Sequence, residues 1–361
     1  MRSFLDIPLD EIPGVMESMG LPPYRGRQVV SWVYGRLARS YDEMTDLPAS
    51  LRRRLEDELP LGLGEELAAQ TADGGVVKGL LGLGEGASAE CVLLPYRYGF
   101  SACLSSQVGC RQGCLFCATG ASGFTRSLRQ GEIMAQLLYL DRWAKPGRVG
   151  RIVMMGAGEP LDNYEEVLAF LRNVHDDRTR GMSYRRMTVS TVGLVPQMRR
   201  LADEGLPLTL ALSLHATTDE VRSLLIPENH RYPVSEILAA AGLYMERTGR
   251  RVTYEFLLIR GLNDGLNEAR RLARLVHDHP GHVNLIPLNP VPTFPYDAPT
   301  PEGVAAFRKE LAAGGVNVTV RRTLGREVDA ACGQLRRRFD GKGDAVALLP
   351  SVRYGTRPES Q

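Results

Sequence analysis

A chain of 361 residues, 43% hydrophobic and 24% charged, has the composition of a soluble globular protein with one large domain and a small one. A formal net charge of +2 announces no polyanion partner, so any nucleic-acid surface must be local. Five of the six cysteines crowd between Cys91 and Cys117, which speaks for metal or redox chemistry and against a secreted disulfide scaffold.

The start, Met1 to Asp6, lacks an apolar h-region and no apolar run reaches membrane-spanning length, so the expected location is the cytoplasm. The first part reads as helical and basic. Leu9 to Met19 and Tyr24 to Leu37 are two helices parted by Gly20-Leu21-Pro22-Pro23, and Ser50 caps a third, Leu51 to Leu59. Arg25, Arg27, Arg36, Arg39 and Arg52-Arg53-Arg54 suit either a phosphate-holding face or a solvated one. Val76 to Leu83 and Ala89 to Pro95, flanked by glycine turns, read as a β-hairpin.

From Ala102 strands and helices alternate. The strands are Ala102 to Ser106, Arg151 to Gly156, Met187 to Thr191, Leu208 to Leu214, Val252 to Ile259 and His282 to Leu288, with Val316 to Val320 as an extra one. Helices cover Gly131 to Trp143, Tyr164 to His175, Val234 to Thr248, Leu266 to His277 and Pro301 to Ala313. Six β/α repeats with apolar strands predict an α/β fold on a parallel sheet, either doubly wound or an incomplete barrel. In both, the site lies at the C-terminal ends of the strands.

The first of those ends carries Cys110-Arg111-Gln112-Gly113-Cys114-Leu115-Phe116-Cys117, a C-x3-C-x2-C run. Three thiolates on one loop hold a metal centre and leave one position open, whereas four ligands would close it. This spacing, with an aromatic before the third Cys, resembles that of radical S-adenosylmethionine (SAM) enzymes, in which SAM chelates the fourth iron of a [4Fe-4S] cluster. The alternative is zinc, with Cys103 or Cys91 as fourth ligand. After the second strand, Gly156-Ala157-Gly158-Glu159-Pro160 lacks the third glycine of a dinucleotide fingerprint. A glycine turn followed by a carboxylate suits a ligand ammonium there, and a plain tight turn is the simpler reading. Ser190, Ser213-Leu214-His215 and Asn289 place polar groups at three further strand ends. Cys332, next to Gly333 and among Arg326, Glu327 and Asp329, reads as a reactive thiol rather than a core residue. Cys103 lies on the first strand near the cluster loop, and Glu90 on the hairpin offers a carboxylate.

Taken together these blocks resemble the RlmN/Cfr family of radical-SAM RNA methyltransferases, most of all its RlmN branch. The match runs through Ser105-Ser106-Gln107-Val108-Gly109-Cys110, Met155 to Pro160, Ser190-Thr191-Val192-Gly193, Ser213-Leu214-His215-Ala216, Ile286-Pro287-Leu288-Asn289-Pro290 and Ala331-Cys332-Gly333-Gln334. A departure, Arg126-Ser127-Leu128 where Arg-Asn-Leu is common, touches no residue given a role. The resemblance implies a partial (β/α)6 barrel over 97–340, a helix-hairpin-helix-like RNA-binding domain over 1–74, a hairpin extension over 75–96 and a tail over 341–361. It implies a [4Fe-4S] cluster on Cys110, Cys114 and Cys117, and SAM bound by Gly158, Glu159, Ser190, Ser213, Leu214, His215 and Asn289. Cys332 would take a methyl group from one SAM, a second SAM would furnish the 5'-deoxyadenosyl radical, and Cys103 would resolve the protein–RNA link through a transient disulfide. Glu90 matches the family's proton acceptor, with Cys103 a competing candidate. The implied partners are 23S rRNA, tRNA and an electron donor such as flavodoxin or ferredoxin, with a monomeric enzyme. The product is 2-methyladenosine in the RlmN type and 8-methyladenosine in the Cfr type, which confers antibiotic resistance. A zinc-stabilised RNA-binding module and a radical-SAM enzyme of small molecules are the readings from other classes.

Overall fold

The computed structural model describes residues 2–72, 74–84, 86–121, 123–289 and 294–321. Cys332, with its neighbours Arg326, Glu327 and Asp329, lies outside them, as do the Ala331-to-Gln334 block, Pro290 and the tail 341–361.

A ten-stranded sheet forms the centre. Three antiparallel strands, β1 (Glu65–Ala72), β2 (Val76–Gly82) and β3 (Ser88–Tyr96), lead into β4 (Gly99–Cys103). A separate ribbon, β5 (Gln107–Gly109) with β6 (Phe124–Ser127), brackets the cysteine loop. Next to β4 come β7 (Val149–Met154), β8 (Met187–Thr191), β9 (Thr209–Ser213), β10 (Val252–Leu258), β11 (Gly281–Pro287) and β12 (Asn317–Val320), each parallel to the one before. A doubly wound sheet reverses its strand order at a switch point. From β4 to β12 this order never reverses, so right-handed crossovers place every helix on the same side and the sheet is an open, partial barrel.

Strand alternation sets the two faces. On β10, Val252, Tyr254, Phe256 and Leu258 are all fully buried, and Phe256 stacks 5.9 Å from Phe307 of a covering helix. Thr253, Glu255 and Leu257 therefore face the barrel interior, where a ligand would sit. The helices are α1 (Ile12–Ser18), α2 (Tyr24–Val30), α3 (Ala49–Glu58), α4 (Ala118–Ala121), α5 (Gln130–Trp143), α6 (Tyr164–His175), α7 (Val195–Asp203), α8 (Asp219–Leu225), α9 (Val234–Thr248), α10 (Leu266–Asp278) and α11 (Pro301–Ala313). Among the described residues no helix is long and apolar enough to cross a membrane.

Several boundaries differ from the expectations. The first helix starts at Ile12, because Pro8 to Glu11 form a turn. The second continues from α2 as a π-helical turn, Ser31–Arg36, and stops at Leu37, whose φ of 62° ends any helix. Pro48 and not Ser50 stands at the N-cap of α3, and Ser50 is inside it. The first barrel strand ends at Cys103, so Ser105 and Ser106 fall in the segment beyond it. Unforeseen elements are β1, an exposed edge strand with few β-formers, the short β5–β6 ribbon, and helices α7 and α8.

The N-terminal helices do not stand apart. Phe4, Leu5 and Ile7 share one hydrophobic core with Ile133, Leu137 and Leu138 of α5. The 3-10 turn Phe4–Asp6 presses on the start of α5, where Gln130 Nε2 donates to the Asp6 carbonyl at 3.1 Å. Gly131 is the point of closest approach: a Cβ there would meet Asp6 Oδ1 at 2.5 Å and the Leu5 carbonyl carbon at 2.7 Å. In an open helix Gly→Ala adds roughly 1 kcal/mol of stability. Here the overpacking, about 1–3 kcal/mol, outweighs it, so Gly131→Ala is expected to lower Tm and speed proteolytic release of the first sixty or so residues. A raised Tm would mean that the N-terminal turn does not seat on α5.

Candidate active site

After β4 the chain leaves the sheet, and the next three residues tie the site together. Ser105 Oγ donates to the Glu90 carbonyl at 2.6 Å and accepts from Ala157 N–H at 2.9 Å, while Ser105 N–H donates to Gln136 Oε1 at 2.9 Å. Gln107 Oε1 accepts from Glu159 N–H at 3.0 Å and its Nε2 donates to Asp162 at 2.8 Å. The Gly156–Glu159 turn lies flat against this segment. A Cβ on Gly156 would meet Ser105 Oγ at 2.6 Å, and one on Gly158, whose φ is +102°, would meet Gln107 Cβ at 2.6 Å. Close backbone approach thus accounts for both glycines.

The cysteine loop hangs from the β5–β6 ribbon. Cys110 N–H donates to the Gly123 carbonyl at 2.9 Å, and Leu115 N–H donates to the Leu225 carbonyl at 3.0 Å. Arg111 lies 3.8 Å over the Phe124 ring and 3.3 Å from Asp162. Cys114, Phe116 and Cys117 pack with Leu257, Ile286 and Leu288, so the loop is seated on the C-terminal ends of β10 and β11. Burial pushes the Cys110 thiol up to about 12, with Glu159, Cys117 and Asp162 adding to the shift against a backbone hydrogen bond from Gln112. Burial also drives Cys114 well above the usual thiol range. Thiols in this state stay protonated at neutral pH until a metal draws the protons off.

Among the described residues, no three His, Cys, Asp or Glu side chains converge as a single ion requires. Each Cys of a cubane cluster binds a different iron, which asks for wider spacing than four ligands on one zinc. Gly120 lets α4 close under the loop, since a Cβ there would stand 2.7 Å from the Cys114 carbonyl oxygen. Among the described residues the buried Thr119 Oγ1, two positions after Cys117, and Gln112 Oε1, two after Cys110, have no hydrogen-bond partner; a hydroxyl on this loop suits a sulfide acceptor. The donor set, its spacing and this unmatched hydroxyl fit an iron–sulfur cluster on Cys110, Cys114 and Cys117. Cys91 points to the other side of the sheet, its Sγ 3.9 Å from the Gly79 carbonyl, where burial keeps it a thiol.

The other strand ends meet around this loop. Glu159 is 3% exposed, and its Oε1 and Oε2 accept from Leu161 N–H at 3.0 Å and Val192 N–H at 2.9 Å. The carboxylate thereby fastens the turn after β7 to the end of β8, and burial, opposed by these bonds, pushes it up to about 7. Only second lone pairs remain for a ligand ammonium. Ser190 lies near the end of β8, Ser213 ends β9, and Asn289 follows β11. Leu214 is fully buried, and its carbonyl accepts from Arg222 Nε at 3.0 Å.

His215 holds a left-handed backbone, φ 60°, and is one of two non-glycine residues described there. Its Nδ1 accepts from Leu257 N–H at 3.1 Å, which puts the ring hydrogen on Nε2, and the ring meets Phe116 edge-on at 4.8 Å. Sequence reasoning missed Arg222. It stands on the unforeseen α8, is 1% exposed and donates to the Leu214 carbonyl at 3.0 Å, the Ser213 carbonyl at 3.1 Å, Asn229 Oδ1 at 2.7 Å and the Val192 carbonyl. A buried fork satisfied by main-chain carbonyls leaves no mark in the sequence.

On the hairpin side, Cys103 pairs with Val92 and Val92 with Lys78, so these side chains and Glu90 share the inner face. Cys103 and Glu90 are both buried.

Burial, with the Arg222 charge, lowers the His215 pKa from 6.5 to about 3. The folded state therefore binds fewer protons than the unfolded one between those values. The stability His215 contributes is present above its unfolded pKa of 6.5 and is lost as the pH falls toward about 3. Asn accepts the left-handed backbone. In the metal-free chain, the Tm gap between wild type and His215→Asn is expected to narrow from about pH 7 to about pH 4. A constant or widening gap would mean the imidazole is not held neutral.

Comparison with known proteins accords with this geometry. The radical SAM superfamily matches residues 104–274, and the ribosomal RNA large subunit methyltransferase N-terminal domain matches residues 3–60. A Symbiobacterium thermophilum protein described as a probable dual-specificity RNA methyltransferase RlmN is 48% identical over 92% of this chain and 91% of its own. One of the same description from Desulforudis audaxviator is 49% identical over 87% of this chain and 99% of its own. The crystal structure of a radical SAM methyltransferase from Sphaerobacter thermophilus superposes with a TM-score of 0.90 at 44% identity, covering 92% of this chain and 99% of that one. By its sequence, its two matched domains and its fold, the chain belongs to the RlmN family of radical SAM methyltransferases.

Proposed function

We propose that this protein methylates carbon 2 of an adenosine in 23S rRNA, at the peptidyl-transferase centre, and of an adenosine in tRNA. The observation that carries the reading is the convergence of two sets of groups. The three-thiol loop sits at the C-terminal mouth of the barrel, and Cys103 with Glu90 lies on the inner face of the same sheet. Adenine carbon 2 is not nucleophilic, so direct transfer from a sulfonium fails there, and a radical route is needed.

In this reading Cys110, Cys114 and Cys117 hold the cluster, and Gly158, Glu159, Ser190, Ser213, Leu214, His215 and Asn289 hold SAM. Cluster and SAM together supply a 5'-deoxyadenosyl radical, the part of the chemistry a cofactor carries. The protein does the rest. Cys332 thiolate displaces a methyl group from one SAM, as a good sulfur nucleophile does. It then carries that carbon to the base, so enzyme and RNA become covalently joined. Glu90 takes the adenine proton, with Cys103 the competing acceptor. Cys103 closes a disulfide with Cys332 as the carbon–sulfur bond breaks. Arginines of the N-terminal helices contact phosphates, and the target base is splayed out of its stack. A flavodoxin- or ferredoxin-type donor reduces the cluster, and the enzyme acts as a cytoplasmic monomer.

Anaerobically reconstituted protein is expected to be brown with about four iron per chain, and Ala at Cys110, Cys114 or Cys117 to bleach it. Stoichiometric zinc without iron would point to a zinc-stabilised binding module. Cys332→Ala should keep the cluster and lose RNA methylation, whereas Cys103→Ala should accumulate the protein–RNA adduct. Fully active Cys103→Ala free of bound RNA would exclude that role. Mass spectrometry of digested rRNA from cells with and without the gene should show 2-methyladenosine. Exclusive 8-methyladenosine would make this a Cfr-type resistance enzyme.

A further inference from the structure

Lys78 is out of place. It sits in β2 between Val77 and Gly79, in a strand that otherwise buries apolar or small residues, and is itself only 1% exposed. Its Nζ lies 3.8 Å from Glu90 Oε1, and the two side chains are 1% and 10% exposed. The register puts Lys78 directly across from Val92, and Val92 directly across from Cys103. Glu90 is two residues from Val92 on the same face. Lys78, Glu90 and Cys103 therefore form one buried polar group on the inner side of the sheet. Cys91, with the Glu66 charge beside it, belongs to the helix-covered side. No hydrophobic requirement explains a lysine here, and burying one costs several kcal/mol unless it is paired.

We propose that Lys78 is a positioning residue for the proton transfer assigned to Glu90, holding that carboxylate aimed along the inner face. The inference rests on the methyltransferase reading above and names a residue that reading does not use. A carboxylate that is to take one particular proton must be held in one place, and a buried side chain is held by the partners its surroundings give it. An ammonium at 3.8 Å supplies such a hold. The step itself balances simply. The C–H bond breaks, the proton passes to Glu90, and the bonding pair stays in the ring; the cluster, when bound, would supply the one-electron oxidant that the adduct needs.

Among the described residues, Lys78 from β2 and Cys103 from β4 share the face of Glu90, with Tyr96 farther along β3, and Cys91 and Glu66 lie behind the sheet. Removing the lysine should therefore impair the proton transfer to Glu90 and spare the steps before it. The test uses the full chain with reconstituted cluster, SAM and an rRNA fragment, and follows 5'-deoxyadenosine, covalent protein–RNA adduct and methylated product. Lys78→Met should still form 5'-deoxyadenosine but accumulate adduct. Adduct resolution should slow roughly tenfold while 5'-deoxyadenosine formation stays as in the wild type. Lys78→Arg should restore most of the wild-type profile. In a Glu90→Gln background, Lys78→Met should add no further defect. That double variant removes both charges together, which a buried pair tolerates far better than the loss of one.

Wild-type adduct resolution in Lys78→Met would overturn the proposal. So would a defect that lowers 5'-deoxyadenosine formation equally, is not restored by Arg, or adds to that of Glu90→Gln, since each marks a purely structural lysine. Wild-type protein that forms no 5'-deoxyadenosine removes the methyltransferase reading itself, and this inference with it.

Discussion

The site depends on a short stretch of chain that belongs to no strand or helix, Leu104 to Ser106, and on Gln107 after it. These residues must leave the sheet at the end of β4 while being buried on all sides, which obliges every polar group on them to find a partner. Ser105 finds the β3 backbone, the turn after β7 and Gln136 of α5. Gln107 finds Glu159 and Asp162. The amide of Asn163 donates to the carbonyls of Ser106 and Leu128 at 2.8 and 2.7 Å. One segment thus fixes the hairpin carrying Glu90, the turn carrying Glu159 and the ribbon carrying the cysteine loop. Gly156 and Gly158 are consequences of this crossing, for a side chain at either would push the turn off it.

Much of this was legible in the sequence because it follows from periodicity or from spacing. Alternating apolar strands and helices fixed the parallel sheet, and the C-x3-C-x2-C run located the thiols. What could not be read were features made by tertiary contact. The β5–β6 ribbon has strands too short to show an alternation. The β1 strand, Glu65–Ala72, is an exposed edge held by pairing with β2, and its residues have little β-propensity of their own. Arg222 resembles any surface arginine until the carbonyls of three different segments are seen to close on it. Glu159 was read as a carboxylate for a ligand ammonium, whereas the structure shows its carboxylate serving two backbone amides, which no sequence pattern announces. Lys78 passed unremarked inside the strand Val76 to Leu83, since a charge in an apolar strand acquires meaning only beside Glu90.

The buried charges share a logic. Arg222, Glu159, Lys78 and Glu90 each carry a desolvation cost that water would otherwise remove, and each is offset by partners drawn from a different element. Arg222 joins the ends of β8 and β9; Glu159 joins the turn after β7 to the end of β8; Lys78 joins β2 to β3. None is a strong net contributor to stability, because desolvation cancels most of the attraction. Their effect is on geometry: breaking any one leaves an uncompensated buried charge, so strand ends that would otherwise splay are held in register around the cysteine loop.

That division also explains why the N-terminal helices are built into the core and not tethered to it. Leu5 and Ile7 complete the apolar surface of α5, and Arg148 donates to the Tyr34 carbonyl at 2.6 Å. A domain on a flexible linker would meet an RNA at many angles relative to the barrel. The same domain seated on α5 meets it at one angle, and α5 also holds Ser105 through Gln136. Orientation is what a reaction at one position of an RNA needs. The close contact at Gly131 connects the N-terminal turn to the site through a single helix.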